Sequence, residues 1–229
     1  VSDNLSEEEQ IEAFKQWWVD NGLKLVAAAA IAIGGTLSWQ GWQGSQQEYA
    51  EQGSAIYSAM IDIATAETDQ PLTDEQKQAI NASADQLKQE FTDTGYAHLS
   101  ALLKAKLAVD ADDLDSAASE LQWVLDNDPA ADIKLLANLR LARVEAAKGN
   151  NDRALGLLEG QEAGKLTSAY EEAKGDFHLS MGHWDAAYAS YQLAIDTEQS
   201  GNSRQLSILR LKLNQAKPVG EAEETQGES

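Results

Sequence analysis

"GDFHLSMGHWDAAYASYQLAID", Gly175 to Asp196, carries the plainest pattern in this chain. Gly175 stands where two helices would pack closely, and Gly182, seven residues on, opens a turn. Trp184, Ala187, Tyr191 and Ala194 then follow at helical spacing, bulky alternating with small. The expected unit is helix, turn, helix. Working backward, "LRLARVEAAKGNNDRALGLL" puts Ala142, Gly149 and Ala154 in the places of Gly175, Gly182 and Ala187. One step earlier, "ALLKAKLAVDADDLDSAASELQWVLDNDP" offers Ala105, Leu114, Ala117, Leu121, Val124 and Pro129.

Ala117, Ala154 and Ala187 are thus 37 and 33 residues apart, bracketing a 34-residue period. The unit resembles the tetratricopeptide repeat, with Gly175, Gly182, Trp184, Ala187, Tyr191 and Ala194 at its signature positions. It departs from that pattern at Glu171 and Lys174, where the family has Trp and Leu. An opening, degenerate unit is expected over about 49–66 and 73–91, since Ala84 lies 33 residues before Ala117. Small alanines let paired helices cross closely, and Trp184, Tyr191, Leu121 and Trp123 are expected to fill the spaces between units.

The rest of the chain agrees with an all-α fold. It has three prolines, almost no strand-like alternation after Tyr49, and long runs rich in Ala, Leu, Glu, Gln and Lys. "NSRQLSILRLKLNQ", Asn202 to Gln215, sets Leu206, Leu209 and Leu213 on one face and reads as a helix capping the solenoid. The alternative is a detachable helix offered to a partner. The acidic tail "GEAEETQGES" has no apolar anchor and is expected to be disordered.

Upstream, "KQWWVDNGLKLVAAAAIAIGGTLSWQGWQGSQQ", Lys15 to Gln47, contains 23 uncharged residues between Lys24 and Glu48. As a helix these rise roughly 34 Å, enough for a hydrocarbon core of about 30 Å. The Ala- and Gly-rich middle would also suit a buried helix. Tryptophans tip the balance: Trp17 and Trp18 precede the run and Trp39 and Trp42 end it, like aromatic belts at two interfaces. A cleaved signal peptide is disfavoured by the acidic leader and by bulky tryptophans where cleavage would fall. Lys15 and Lys24 lie before the span and no Lys or Arg follows until Lys77, so the positive-inside rule puts the N-terminus in the cytoplasm. Ser6 to Glu9 resembles a capping box opening a short amphipathic helix with Leu5, Ile11, Phe14 and Trp18 near one face. Ala30, Gly34 and Ser38, four apart, are candidates for packing against another transmembrane helix. The expected organisation is a cytoplasmic leader over 1–22, a transmembrane helix over 23–43, an exported repeat domain over 44–217 and a tail over 218–229.

Composition narrows the function. With 17 basic against 38 acidic side chains, a formal net charge of −21 opposes binding to nucleic acid or anionic headgroups. The absence of cysteine removes disulfides, thiolate nucleophiles and sulfur-ligated metals. His98, His178 and His183 lack the spacing of metal ligands on a helix. "DADDLD", Asp110 to Asp115, gathers carboxylates without the Gly turn and closing Glu of an EF-hand. No phosphate loop, nucleophile elbow or zinc-protease signature occurs. An enzyme is not expected, and neither is a cofactor or a metal.

A binding surface remains. In this repeat class the first helix of each unit lines the concave side. The register assigns to it Leu99, Leu102, Lys106 and Val109, then Leu136, Leu139 and Arg143, then Glu172, Asp176 and Leu179. Such a groove, apolar at one end and charged at the other, suits an amphipathic helix or an unfolded segment. The competing expectation is that neighbouring helices, including Leu206 to Leu213, already fill it.

The leader ending in "EAFKQWWVDNGLKL", the Gly-containing span closed by "WQGWQ", and "NLRLARVEAAKGNNDRAL" followed by "GDFHLSMG" together resemble the YfgM family of ancillary SecYEG translocon subunits. The likeness covers nearly the whole chain up to about Pro218. It implies an inner-membrane protein with its N-terminus inside and a periplasmic repeat domain beside the translocon. There it would pair with a membrane-anchored, parvulin-like peptidyl-prolyl isomerase and help pass exported proteins to periplasmic chaperones. It implies no catalytic residues. A scaffold for envelope assembly unrelated to the translocon, and direct holding of unfolded clients in the groove, are the alternatives.

Overall fold

The structure, a computed structural model, describes residues 7–66, 71–198 and 201–217. The capping box at Ser6 and the acidic tail from 218 onward lie outside these residues. Among them the chain is helical throughout, as expected from the sequence, and it divides into two compact units between Gln52 and Gly53.

Helix α1 runs unbroken from Glu7 to Thr65. Separate leader, span and opening helices were expected, but the first proline is Pro71, and nothing earlier forces a break in the hydrogen-bond ladder. Thr36, a polar residue in an apolar run, donates its hydroxyl to the carbonyls of Ala32 and Ile33 at 3.0 and 2.8 Å. Its side chain is thereby satisfied inside the helix. Along this first unit Val26, Ile31, Ile33 and Leu37 are exposed, as are Trp17, Trp18, Trp39 and Trp42.

The second unit opens with the end of α1 and continues as helix pairs. Helix α2 (Asp74–Glu90) begins with a capping box: Thr73 accepts from the Gln76 N–H, and the Gln76 side chain accepts from the Thr73 N–H. Two otherwise orphaned donors are satisfied. Three further pairs follow, α3 (Gly95–Asp110) with α4 (Leu114–Asp126), α5 (Ala131–Ala147) with α6 (Asn151–Leu158), and α7 (Thr167–Ser180) with α8 (Trp184–Asp196). A 3₁₀ turn at Gly164–Leu166 leads into α7, and α9 (Ser203–Gln215) packs on α8.

The three pairs share one turn. At Asp112, Gly149 and Gly182, each five residues before Ala117, Ala154 and Ala187, φ is +58°, +86° and +76°. The next residue's N–H reaches back in each to a carbonyl five residues earlier, Asp113 to Ala108, Asn150 to Glu145 and His183 to His178, all at 2.9 Å. This is the Schellman closure, which satisfies the last carbonyls of one helix while reversing the chain. Asp112 takes the left-handed place because a short polar side chain tolerates it best after glycine. "DADDLD" is thus turn chemistry: Asp112 holds the turn, and Asp113 caps α4 by accepting from the Ser116 N–H at 3.0 Å.

Packing follows the same register. Ala117, Ala154 and Ala187 are fully buried, as are Ala142 and Ala194, while Ala105 is nearly so. Ala105 and Leu121 belong to one core cluster and Ala142 and Leu158 to the next. In the last pair the equivalent positions hold Gly175 and Tyr191, a smaller residue facing a larger one. Between α2, α3 and α4 a half-buried ion network adds to the apolar contacts. Glu120 accepts from Lys88 at 2.6 Å and Lys104 at 2.9 Å, and Lys104 also reaches Asp85 at 2.6 Å.

Two tryptophans expected inside are not. Trp184 is 48% exposed at the start of α8, and Trp123 is half-buried beneath the Lys88 ammonium, 4.8 Å from its ring. Leu121 and Tyr191 do fill the core, joined by Tyr170, whose hydroxyl donates to the Leu135 carbonyl at 2.8 Å. That bond ties α7 to α5, joining one helix pair to the next.

Candidate partner-binding surface

Lys106, Arg143 and Asp176 each follow immediately after Ala105, Ala142 and Gly175, so the repeat places them in one column across three units. The three rungs of this column have different fates.

At the first two rungs there is a pocket of about 380 Å³ between α3, α4 and α5. Its floor is apolar, formed by Ala105, Val109, Leu114, Leu121 and Val144, and its rim carries Lys106, Arg140 and Arg143. Lys106 is held at 2.6 Å by Asp110 one turn on. Among the described residues Arg140 and Arg143 have no carboxylate partner; Arg140 makes one long contact, 3.5 Å, to the Leu102 carbonyl. Burial, with the Arg143 charge nearby, pushes the Arg140 guanidinium pKa below its usual value.

At the third rung the column is covered. Lys212 of α9 lies 2.8 Å from both Asp176 and Glu172, and Gln205 donates to Glu172 at 2.9 Å. Burial would lower the Lys212 pKa, but the hydrogen bonds it donates to Asp176 and Glu172 outweigh this and leave it raised. Leu209 is fully buried and Leu213 packs against the cluster of Ala187 and Tyr191, so α9 is seated by apolar contacts as well.

The groove residues assigned from sequence are therefore split. Val109, Lys106 and Arg143 meet at the open pocket, with Leu99 partly exposed on α3. Leu102 and Leu139 do not face solvent: they are 3% and 4% exposed and belong to the core clusters. The correction has a geometric cause, since helices packed on both flanks bury more of their circumference than one amphipathic stripe. Leu136 packs against the first cluster and Leu179 against the last, while Glu172 and Asp176 are engaged by α9. Sequence reading missed Arg140, which sits three residues before Arg143; the spacing that puts both on one helix face was the available signal. On α1, Ala30, Gly34 and Ser38 are exposed, and a Cβ on Gly34 would meet nothing within 4 Å.

No group of three or more potential metal ligands occurs among the described residues. His98 bonds through Nε2 to the Asn127 carbonyl at 2.8 Å and packs on Trp123. His178 and His183 stand with ring centroids 6.0 Å apart at the last turn. Burial, then His183, lowers the His178 pKa and favours the neutral ring.

An anchor-like helix followed by stacked helix pairs with a shared turn and an unfilled pocket defines a repeat protein of the protein-interaction class. The chain belongs to the tetratricopeptide repeat-like domain family, whose model matches residues 15–217. Its relatives include proteins named ancillary SecYEG translocon subunit. That of Haemophilus influenzae is 28% identical, covering 92% of this chain and 98% of its own. The one from Aggregatibacter actinomycetemcomitans is 29% identical over 92% and 97%, and the Escherichia coli K12 protein 25% over 84% and 89%. The resemblance drawn from the sequence is borne out by these names, which designate a subunit of a transport machine and not an enzyme.

Proposed function

We propose that this chain is a single-span inner-membrane protein that presents a repeat module beside the SecYEG translocon. The observation that carries the reading is end-to-end similarity to ancillary translocon subunits, including the apolar helix. The only candidate span among the described residues lies in α1, and 6% of its most apolar window is buried against protein. Residues 1–22 are then a cytoplasmic leader, 23–43 the crossing, 44–217 the periplasmic module and 218–229 its tail. Lys15 before the crossing and Lys24 at its very start, with no Lys or Arg after it until Lys77, supply the orientation.

In this reading the module works with a membrane-anchored, parvulin-like isomerase and helps pass exported proteins to periplasmic chaperones. Buried tyrosines and leucines hold the helix pairs together, and the open pocket offers a surface for a partner segment. Ala30, Gly34 and Ser38 form the strip through which α1 meets a neighbouring membrane helix.

Photocrosslinking in native membranes tests this. Probes at Ala30 and at Val109, both exposed, should give products containing a translocon subunit or the isomerase. Products with neither from both positions would overturn the assignment. Scanning charge reporters on either side of 23–43 separately checks the orientation.

A further inference from the structure

The last pair of helices shows how this surface is occupied from within the chain. Helix α9 lays apolar residues on α8 and extends one cation, Lys212, onto Asp176 and Glu172. One and two units earlier, the positions equivalent to Asp176 are Arg143 and Lys106, so the charge is inverted. There the pocket is open, apolar-floored and about 380 Å³ in volume. Lys106 is already neutralised by Asp110, which leaves Arg140 and Arg143 as cations without a carboxylate among the described residues.

We infer that the α3–α4–α5 pocket takes a carboxylate carried on an apolar segment of a partner protein, with Arg140 and Arg143 as its ligands. The inference rests on the protein-interaction reading above and names the chemistry of the partner. Two guanidinium groups on one helix face suit a carboxylate, because each presents a planar fork of donors. The apolar floor demands more than an ion, since Val109, Leu114 and Val144 gain only from a side chain that excludes water. The occupant is sparingly acidic. A chain of net charge −21 repels a polyanion at long range, whereas one or two carboxylates feel mainly the arginines within a Debye length of about 8 Å.

The test uses the purified full chain in detergent and two short, dye-labelled amphipathic peptides. Both share the same leucines; one carries two glutamates and the other two glutamines in their place. Fluorescence anisotropy should show the glutamate peptide binding about tenfold tighter. Added salt should weaken that preference, and R140Q/R143Q with an unchanged circular dichroism spectrum should abolish it. If the double variant fails to fold, R143Q alone serves, and should reduce the preference. Equal affinity of the two peptides, binding of neither, or a preference that survives the substitutions would overturn the inference. So would inorganic phosphate competing as well as the glutamate peptide, since the site would then take a bare anion. The assay contains no translocon, so its failure leaves the membrane crosslinking result standing, and the reverse holds too.

Discussion

A Cβ on Gly175 would lie 2.5 Å from Cε1 of Tyr191, inside the space that ring already fills. The tyrosine is fully buried and donates its hydroxyl to Asp176 at 2.7 Å, so it cannot swing aside cheaply. Helix propensity favours alanine over glycine by about 1 kcal/mol, yet overpacking costs about 1–3 kcal/mol. Gly175→Ala should therefore lower the thermal midpoint. Adding Tyr191→Leu should recover part of the loss, because Ala142 with Leu158 already shows that size combination in the preceding pair. Equal midpoints for Gly175→Ala and the native chain would contradict the packing described.

The three Schellman turns predict an asymmetry between glycine and aspartate. Gly182→Ala forces a Cβ into left-handed backbone and should destabilise by about 1–2 kcal/mol. Asp112→Gly relieves the same strain in the first pair and should be neutral or stabilising. Chemical denaturation of the two variants, compared at constant slope, provides the measurement.

Lys212 anchors α9 over two carboxylates, Glu172 largely buried and Asp176 partly solvated, that would otherwise have no cation between them. Lys212→Met keeps the stem and removes the charge, leaving Glu172, 12% exposed, facing Asp176. The expected cost is about 1–2 kcal/mol, between exposed and fully buried pairs because Asp176 is partly solvated. Amide exchange over Ser203–Gln215 should accelerate while the amides of α4 and α5 stay protected. Unchanged protection in α9 would mean that Leu209 and Leu213 alone hold it.

Alkaline pH should expose the buried tyrosines. Burial pushes the Tyr170 phenol up to about 12, and raises Tyr191 as well. The folded state therefore keeps these protons where the unfolded chain, at the ordinary value of 10.0, has lost them. Their stabilisation is complete below that value and is lost as pH rises through about 12. Unfolding midpoints should fall steeply over this window, and Tyr170→Phe should make the fall shallower while forfeiting the bond to Leu135.

Leu102→Asp provides a check on the groove. At 3% exposure the carboxylate would enter the core, and a loss of about 3 kcal/mol or more is expected. Val109→Asp, at 44% exposure, should leave the thermal midpoint nearly unchanged. A folded, stable Leu102→Asp chain would restore that residue to the surface.

The repeat register was legible because it is written in residues whose size or backbone freedom is not replaceable. Ala117, Ala154, Ala187, Gly149, Gly182 and Gly175 each answer a steric demand that recurs with the fold. The tryptophans were misplaced because size alone predicts burial, whereas Trp184, in the first turn of α8, is left 48% exposed. Leu102 and Leu139 were misplaced for the opposite reason, since apolar character does not say whether a residue lines a groove or a helix interface.

Local spacing and composition sufficed for the all-α fold, the helix pairs, the small residues at their crossings and the apolar run with its flanking lysines. These follow from short-range rules of helix periodicity, turn stereochemistry and hydrophobic length. Which rungs of the column stay open was settled only in the folded chain. Lys212 is 36 residues from Asp176, and Arg140 is 35 from Ala105. Their partners depend on how whole helices stack, so contact over such separations carries no periodic signature in a single sequence.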